Sequence, residues 1–246
     1  MRTIFRLSDV IQPTPIEKWV YKKEIDSLQE RAKLISHYAD KKKHNIILVF
    51  EGWDAAGKGG AIRRLTSLFD PRLYSVISIA APNSEEKNHH YLWRFWTQLP
   101  KKGRIAIFDR SWYGRVLVER VEKFAKEEDW KRAYDEIVLF EEELSSDDCT
   151  VIKFWLHITS EEQLERFNAR KDDPLKRWKL TDEDWRNRDK WGLYEEACEE
   201  MILRTHTEES PWIVVPANEK YHARITVLKS FCEVMEKRLG MPDKFK

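Results

Sequence analysis

Residues 51–60, Glu-Gly-Trp-Asp-Ala-Ala-Gly-Lys-Gly-Gly, put Gly52, Gly57 and Lys58 at the spacing of a phosphate-binding P-loop, G-x-x-x-x-G-K. In such a loop successive backbone N–H groups and the positive end of the following helix cradle phosphate oxygens, and the lysine adds a point charge. The phosphate-binding residues expected here are Ala55, Ala56, Gly57, Lys58, Gly59 and Gly60. The position after the lysine normally carries a Ser or Thr hydroxyl that holds magnesium. Here it is Gly59, which offers a metal nothing, while the loop itself carries an acid, Asp54.

A second group of chemical residues follows an apolar run: Phe108-Asp109-Arg110-Ser111-Trp112-Tyr113. An Asp ending a strand in a P-loop protein is the usual second magnesium contact. Asp54 and Asp109 together then supply the negative charge a hard cation needs, replacing the missing hydroxyl. Arg110 is expected to grip the transferred or acceptor phosphate with its planar guanidinium. Asp109 has a second possible use, as N-cap of the next helix. Tyr113, Arg115 and Glu119 stand near enough to contribute, Arg115 as a phosphate contact.

The third group is residues 166–190, which hold nine basic and six acidic residues, net +3. Asp173-Pro174 breaks the preceding helix. Lys171–Leu180 is therefore expected to be a mobile lid that brings Arg170, Lys171, Lys176, Arg177 and Lys179 onto the phosphates and excludes water. Arg63 and Arg64 either extend a phosphate track or form an exposed helix face.

The elements that would position these groups are legible from periodicity. Thr14-Pro15 reads as an N-cap followed by Pro at the first helical position, starting a helix that runs to about Lys43. Ile25, Leu28, Ala32, Ile35 and Ala39 form its apolar stripe, expected to pack on the chain's own domain. Strand and helix then alternate. Strands are expected at Asn45–Glu51, Tyr74–Ala80, Arg104–Asp109, Thr150–Ile158 and Trp212–Pro216. Helices are expected at Gly57–Phe69 (inner face Ala61, Ile62, Leu65, Leu68, Phe69), Glu86–Leu99, Ser160–Arg170, Thr181–His206 and Asn218–Leu239, with helical segments between about 110 and 144. That order predicts an α/β fold with a five-stranded parallel sheet covered on both faces. Ligands then gather at the carboxyl ends of the strands, where both motifs fall.

Composition bounds the rest. The 246 residues suit one P-loop domain over 1–246, with residues 1–12 a loose leader, 1–44 a leader plus packing helix and 166–190 the lid region. A net charge of +1 gives no global attraction to polyanions, so any basic site must be local, since charges are screened beyond roughly 8 Å in physiological salt. No apolar run approaches the roughly 20 residues that span a bilayer, and the N-terminus lacks a signal core, so a cytoplasmic protein with no membrane or nucleic-acid partner is expected. Cys149, Cys198 and Cys232 are read as free thiols and His89-His90 as no metal site. Trp53, Trp112 and the helix near Trp93–Trp96 are candidates for stacking on a base, with core packing the preferred reading.

At these motifs the chain closely resembles the polyphosphate kinase type 2 family. The residues that carry the likeness are 52–60, Asp109–Arg115 and the lid Arg170–Lys179. The acidic P-loop is the specific part, because ordinary nucleotide kinases lack it. The resemblance implies a P-loop kinase fold and Mg²⁺-dependent, reversible phosphoryl transfer between inorganic polyphosphate and an adenine nucleotide. It implies Asp54 and Asp109 as metal ligands, Lys58, Arg110 and Arg170 as catalytic phosphate contacts, and a homo-oligomer. Residues 51–65, 90–100, 108–122 and 181–191 look most like the active half of tandem-domain members that phosphorylate AMP to ADP. Phosphorylation of ADP or GDP, or polyphosphate synthesis in reverse, is the alternative. An ATP-dependent monophosphate kinase is disfavoured by Asp54 and Gly59. A passive polyanion binder is disfavoured by both carboxylates, which gain it nothing beside phosphate.

Overall fold

The structure, a computed structural model, describes residues 5–241. Residues 1–4 of the expected leader and residues 242–246 of the expected domain lie outside the described residues. The remainder of the leader is docked rather than loose. Leu7 is fully buried and its amide donates to Glu199 Oε1 at 2.7 Å, and the Asn218 amide donates to Gln12 Oε1 at 3.1 Å.

Helix α1 spans Lys18–Lys42 and starts later than the Thr14-Pro15 signal, with Glu17 at its N-cap and no side-chain cap. All five residues of its expected stripe are buried, and the helix packs along the last helix, α9 (Lys220–Leu239). Arg31 donates to both oxygens of Glu236 across that contact. Strand β1 (Asn45–Gly52) leads through the P-loop into α2 (Lys58–Leu65). The helix ends at Leu65, one turn sooner than its pattern predicts, so Phe69 is buried but Leu68 faces solvent.

Strand β2 (Tyr74–Ser78) lies at one edge of the sheet. The helix expected at 86–99 is broken. Asn83 and Glu86 bond reciprocally, amide to side chain, and start only a short 3-10 turn. His89 is then extended, and one helical turn, α3 (Trp93–Trp96), follows. Strand β3 (Ile105–Asp109), the short α4 (Val118–Val121) and α5 (Glu127–Ser146) come next.

Strand β4 (Cys149–His157) is buried along its whole length, as a central parallel strand requires. It leads to α6 (Ser160–Asp172). The helix expected at 181–206 is two helices, α7 (Asp182–Asp189) and α8 (Trp191–Thr205), broken at Lys190. The Lys190 Nζ pairs with Glu122 at 2.6 Å, and the turn lets Trp191 stack on Trp53 with ring centres 3.6 Å apart. Strand β5 (Trp212–Pro216) precedes α9.

All strand pairs are parallel, in the order β2-β3-β1-β4-β5. Strand β1 sits at the centre, where the order reverses. The crevice at its carboxyl end is the place such a sheet binds ligands. Among the described residues no helix is long and apolar enough to cross a membrane. All three cysteines are free and buried.

Candidate active site

Gly52 fixes where the P-loop begins. It lies at φ +144°, and a Cβ on it would stand 2.5 Å from the Leu156 carbonyl oxygen of β4, so no other residue fits without moving backbone. Gly57, at φ +106°, is the N-cap of α2. Gly59 differs, because a Cβ there would have no neighbour within 4 Å. The absent hydroxyl at this position is not imposed by packing; the space beside it opens onto a cleft.

That cleft has a volume of about 800 Å³. Its floor is the P-loop, residues 54–61, and Asp109 and Arg110 border it. Arg170, Lys176 and Lys179 line it from the lid side, and Lys220 and Arg224 line it from the start of α9. The expected residues Asp54–Gly60, Asp109, Arg110, Arg170, Lys176 and Lys179 therefore meet in one place. Three do not. Arg115 pairs with Glu119 at 3.1 Å and lies over the Tyr91 ring, 4.5 Å from its centre, away from the cleft. Arg177 Nε donates back to the Lys171 carbonyl at 3.0 Å, tying the lid to the end of α6, and neither residue lines the cleft.

Lys58 Nζ donates to the carbonyls of Gly52 (2.8 Å) and Trp53 (3.3 Å), so the ammonium rests on its own loop. Arg110 sits at φ +65° and Ala55 at φ +64°, left-handed conformations that cost a non-glycine residue of order 1–3 kcal/mol. The Arg110 turn is held by its amide, which donates to Phe50 O of β1 at 3.0 Å. Its guanidinium reaches Asp54 Oδ1 at 3.2 Å. The second Asp54 oxygen accepts from Asn187 Nδ2 at 3.0 Å. The N-cap of the turn after β3 is Ser111, which accepts from the Tyr113 amide, so Asp109 does not serve as that cap. Among the described residues the Asp109 carboxylate makes no hydrogen bond and no ion pair.

Behind this surface lie two buried polar clusters. Ser111 Oγ donates to Glu51 Oε1 at 2.8 Å, and burial pushes the Glu51 carboxyl above the usual range. Deeper, Lys153 Nζ contacts Glu141 Oε2 (2.6 Å), Tyr113 OH (3.0 Å) and the Thr205 carbonyl (2.7 Å). Glu141 Oε1 accepts from Trp112 Nε1 and Tyr113 OH. The indole and phenol after Arg110 are thus anchored inside the core, which places Trp112 and Tyr113 in packing rather than base stacking.

Arg166 lies at the cleft wall, but its donors are spent. They go to the carbonyls of Ala55, Ala56, Ala217 and Asn218 and to Glu162, so this arginine shapes the loop. Lys220 and Arg224 are the cations that sequence reading missed. No signal in the sequence marks them: the N-terminus of α9 is capped in the ordinary way by Glu219, whose carboxylate accepts from the Tyr221 and His222 amides.

A smaller cavity of about 90 Å³ lies on the other side of Asp54, walled by Trp53, Trp155, Trp191 and Tyr194. The Trp53 indole N–H donates to His157 Nδ1 at 3.2 Å. Trp53 is buried and stacked on Trp191, as the packing assignment expects.

Magnesium takes near-octahedral oxygen ligation and is commonly held by one or two carboxylates plus substrate phosphates and water. Among the described residues no group of three or more His, Cys, Asp or Glu could hold a metal by itself. An unpartnered Asp109 and a solvent-reachable Asp54 edge beside a phosphate cradle fit the two-carboxylate mode.

Residues 15–241 match the model of the polyphosphate kinase 2 family. The polyphosphate:AMP phosphotransferase of Pseudomonas syringae pv. tomato is 52% identical over 219 residues, 88% of this chain and 44% of its own length. The ADP-polyphosphate phosphotransferase 2 of Rhizobium meliloti is 38% identical over 228 residues, 93% of this chain and 74% of its own. The crystal structure of polyphosphate kinase 2 from Arthrobacter aurescens TC1 superposes with a TM-score of 0.91 at 32% identity, covering 96% of this chain and 86% of that one. The chain spans under half the length of the polyphosphate:AMP phosphotransferase it matches.

Proposed function

The chain belongs to the polyphosphate kinase 2 family, and from that premise we propose that it transfers a phosphoryl group from inorganic polyphosphate to AMP, giving ADP. The observation that carries this reading is the 52% identity to a polyphosphate:AMP phosphotransferase, against 38% to an ADP-dependent relative. The second reading, transfer to a nucleoside diphosphate, draws on that relative, which this chain covers over more of its length.

The cationic cleft suits a phosphate chain. Lys58, Arg170, Lys176, Lys179, Lys220 and Arg224 converge on it, and open space lies above Gly59. Asp54 and Asp109 would hold magnesium, which would supply charge neutralisation at the transferring group. Arg110 exchanges Asp54 for phosphate oxygens, and Lys58 leaves the loop carbonyls for the same purpose. The acceptor's phosphate oxygen is already ionised, so no general base is required. Catalysis is positioning plus electrostatic stabilisation. Cytoplasmic location and homo-oligomerisation remain part of this proposal.

The test is transfer from polyphosphate to AMP, ADP and GDP at equal concentration, with and without Mg²⁺. AMP is expected to react fastest, and only with the metal. Faster transfer to ADP would favour the second reading, and no transfer to any acceptor would end both. Asp54→Asn is expected to lower turnover by about 10²-fold or more with the fold retained.

A further inference from the structure

Asp54 is held at three points, and two of them come from the segments that flank the lid. Gln163 Nε2 of α6 donates to the Asp54 carbonyl at 3.1 Å. Asn187 Nδ2 of α7 donates to Asp54 Oδ2 at 3.0 Å. The next residue, Arg188, donates from Nη1 to Ser160 O (2.7 Å) and Gln163 Oε1 (3.2 Å), locking α7 to α6. The Asn187 amide has only one workable orientation. An ionised carboxylate accepts and cannot donate, so the NH₂ group faces Asp54. The amide oxygen then faces Tyr194 OH at 3.2 Å, whose single proton is shared with Glu122 Oε1 at 3.3 Å.

We propose that Asn187 is a positioning residue for Asp54: it engages Oδ2 and so turns the remaining carboxylate edge toward the cleft. Because α7 begins directly after the lid, the same bond makes the aim of Asp54 depend on where the lid's far end is seated. The inference rests on the reading of Asp54 as a cation ligand proposed above. Hydrogen bonds to ligating carboxylates orient them, and losing such a partner typically costs about 10–100-fold in metal affinity or activity. Among the described residues its one hydrogen bond to the P-loop is the bond to Asp54.

The experiment titrates Mn²⁺ into the chain saturated with polyphosphate and without acceptor, read by its EPR signal against polyphosphate alone, for the unsubstituted protein, Asn187→Ala, Tyr194→Phe and Asp54→Asn, alongside thermal melts and steady-state kinetics. Asn187→Ala is expected to weaken Mn²⁺ binding about 10-fold or more, to lower kcat comparably, and to leave the KM for AMP within about twofold. Tyr194→Phe should shift both in the same direction by less. A purely structural role would move the melting temperature and leave the Mn²⁺ affinity of the folded protein alone. A folded Asn187→Ala with unchanged Mn²⁺ affinity and kcat overturns the inference. If that variant does not fold, a folded Asn187→Leu with unchanged Mn²⁺ affinity and kcat does so instead. Should Asp54→Asn bind Mn²⁺ as tightly as the unsubstituted chain, the cation assignment itself fails; if it loses binding while Asn187→Ala keeps it, only this inference fails.

Discussion

At the scale of single residues, the candidate site holds two kinds of cation, those paired within the protein and those left unpaired. Arg110 leans on Asp54 and Lys58 on its own loop carbonyls, whereas Arg170, Lys220 and Arg224 make no hydrogen bond or ion pair among the described residues. The last three therefore lose little when they turn to phosphate. Lys220→Ala and Arg224→Ala are each expected to raise the KM for polyphosphate about 10- to 100-fold, since a hydrogen bond to a charged group is worth roughly 1.5–3 kcal/mol. The KM for AMP should hardly move; a parallel rise in both would place these cations outside the polymer path. Arg170→Ala should lower kcat as well, because it stands on the lid side. The chemical residues of the P-loop and of Asp109-Arg110 were legible because their spacing follows from backbone geometry. Lys220 and Arg224 were not, since nothing in sequence separates a cation facing a cleft from one facing solvent.

At the scale of elements, the turn after β3 depends on the buried cluster beneath it. Burial pushes the Glu141 carboxyl up and the Lys153 ammonium down, and each opposes the other's shift. Removing one partner strands the other, so Glu141→Gln is expected to cost about 3–5 kcal/mol in urea unfolding. Glu141→Leu/Lys153→Met together should cost less than that single change, because no charge is left buried. The P-loop glycines give a matching contrast. Gly59→Ser should melt like the parent, having open space at its Cβ, whereas Gly52→Ala must displace the Leu156 carbonyl and should melt far lower. Strand positions were readable from apolar runs bounded by turn residues. The helix break at Lys190 was not, because tertiary partners make it: Glu122 draws in Lys190, and Trp53 offers Trp191 a stacking face.

At the scale of the whole molecule, the central strands bind the site's chemistry to the stability of the fold, and His157 at the end of β4 shows how. Its Nδ1 accepts the Trp53 indole N–H, so protonation there would break a bond that supports the P-loop's first turn. Burial alone lowers the imidazole from its ordinary 6.5 to about 4. Below pH 6.5 the unfolded chain takes up this proton and the folded chain does not until about pH 4. The contribution of His157 is thus complete above 6.5 and falls with acidification across that window, at no more than about 1.4 kcal/mol per pH unit. Glu51 acts in the opposite sense, since its raised carboxyl favours the folded state at low pH and loses that advantage as pH rises. The His157 share must therefore be read as a difference. His157→Gln keeps an acceptor for Trp53 but carries no titrating ring. The unfolding free energies of parent and variant, measured in urea at pH 7.5, 6, 5 and 4.5, should converge in the parent's disfavour as pH drops. A constant gap across that range would mean the folded imidazole takes a proton as readily as the unfolded one, and that the Trp53 contact does not depend on its neutrality.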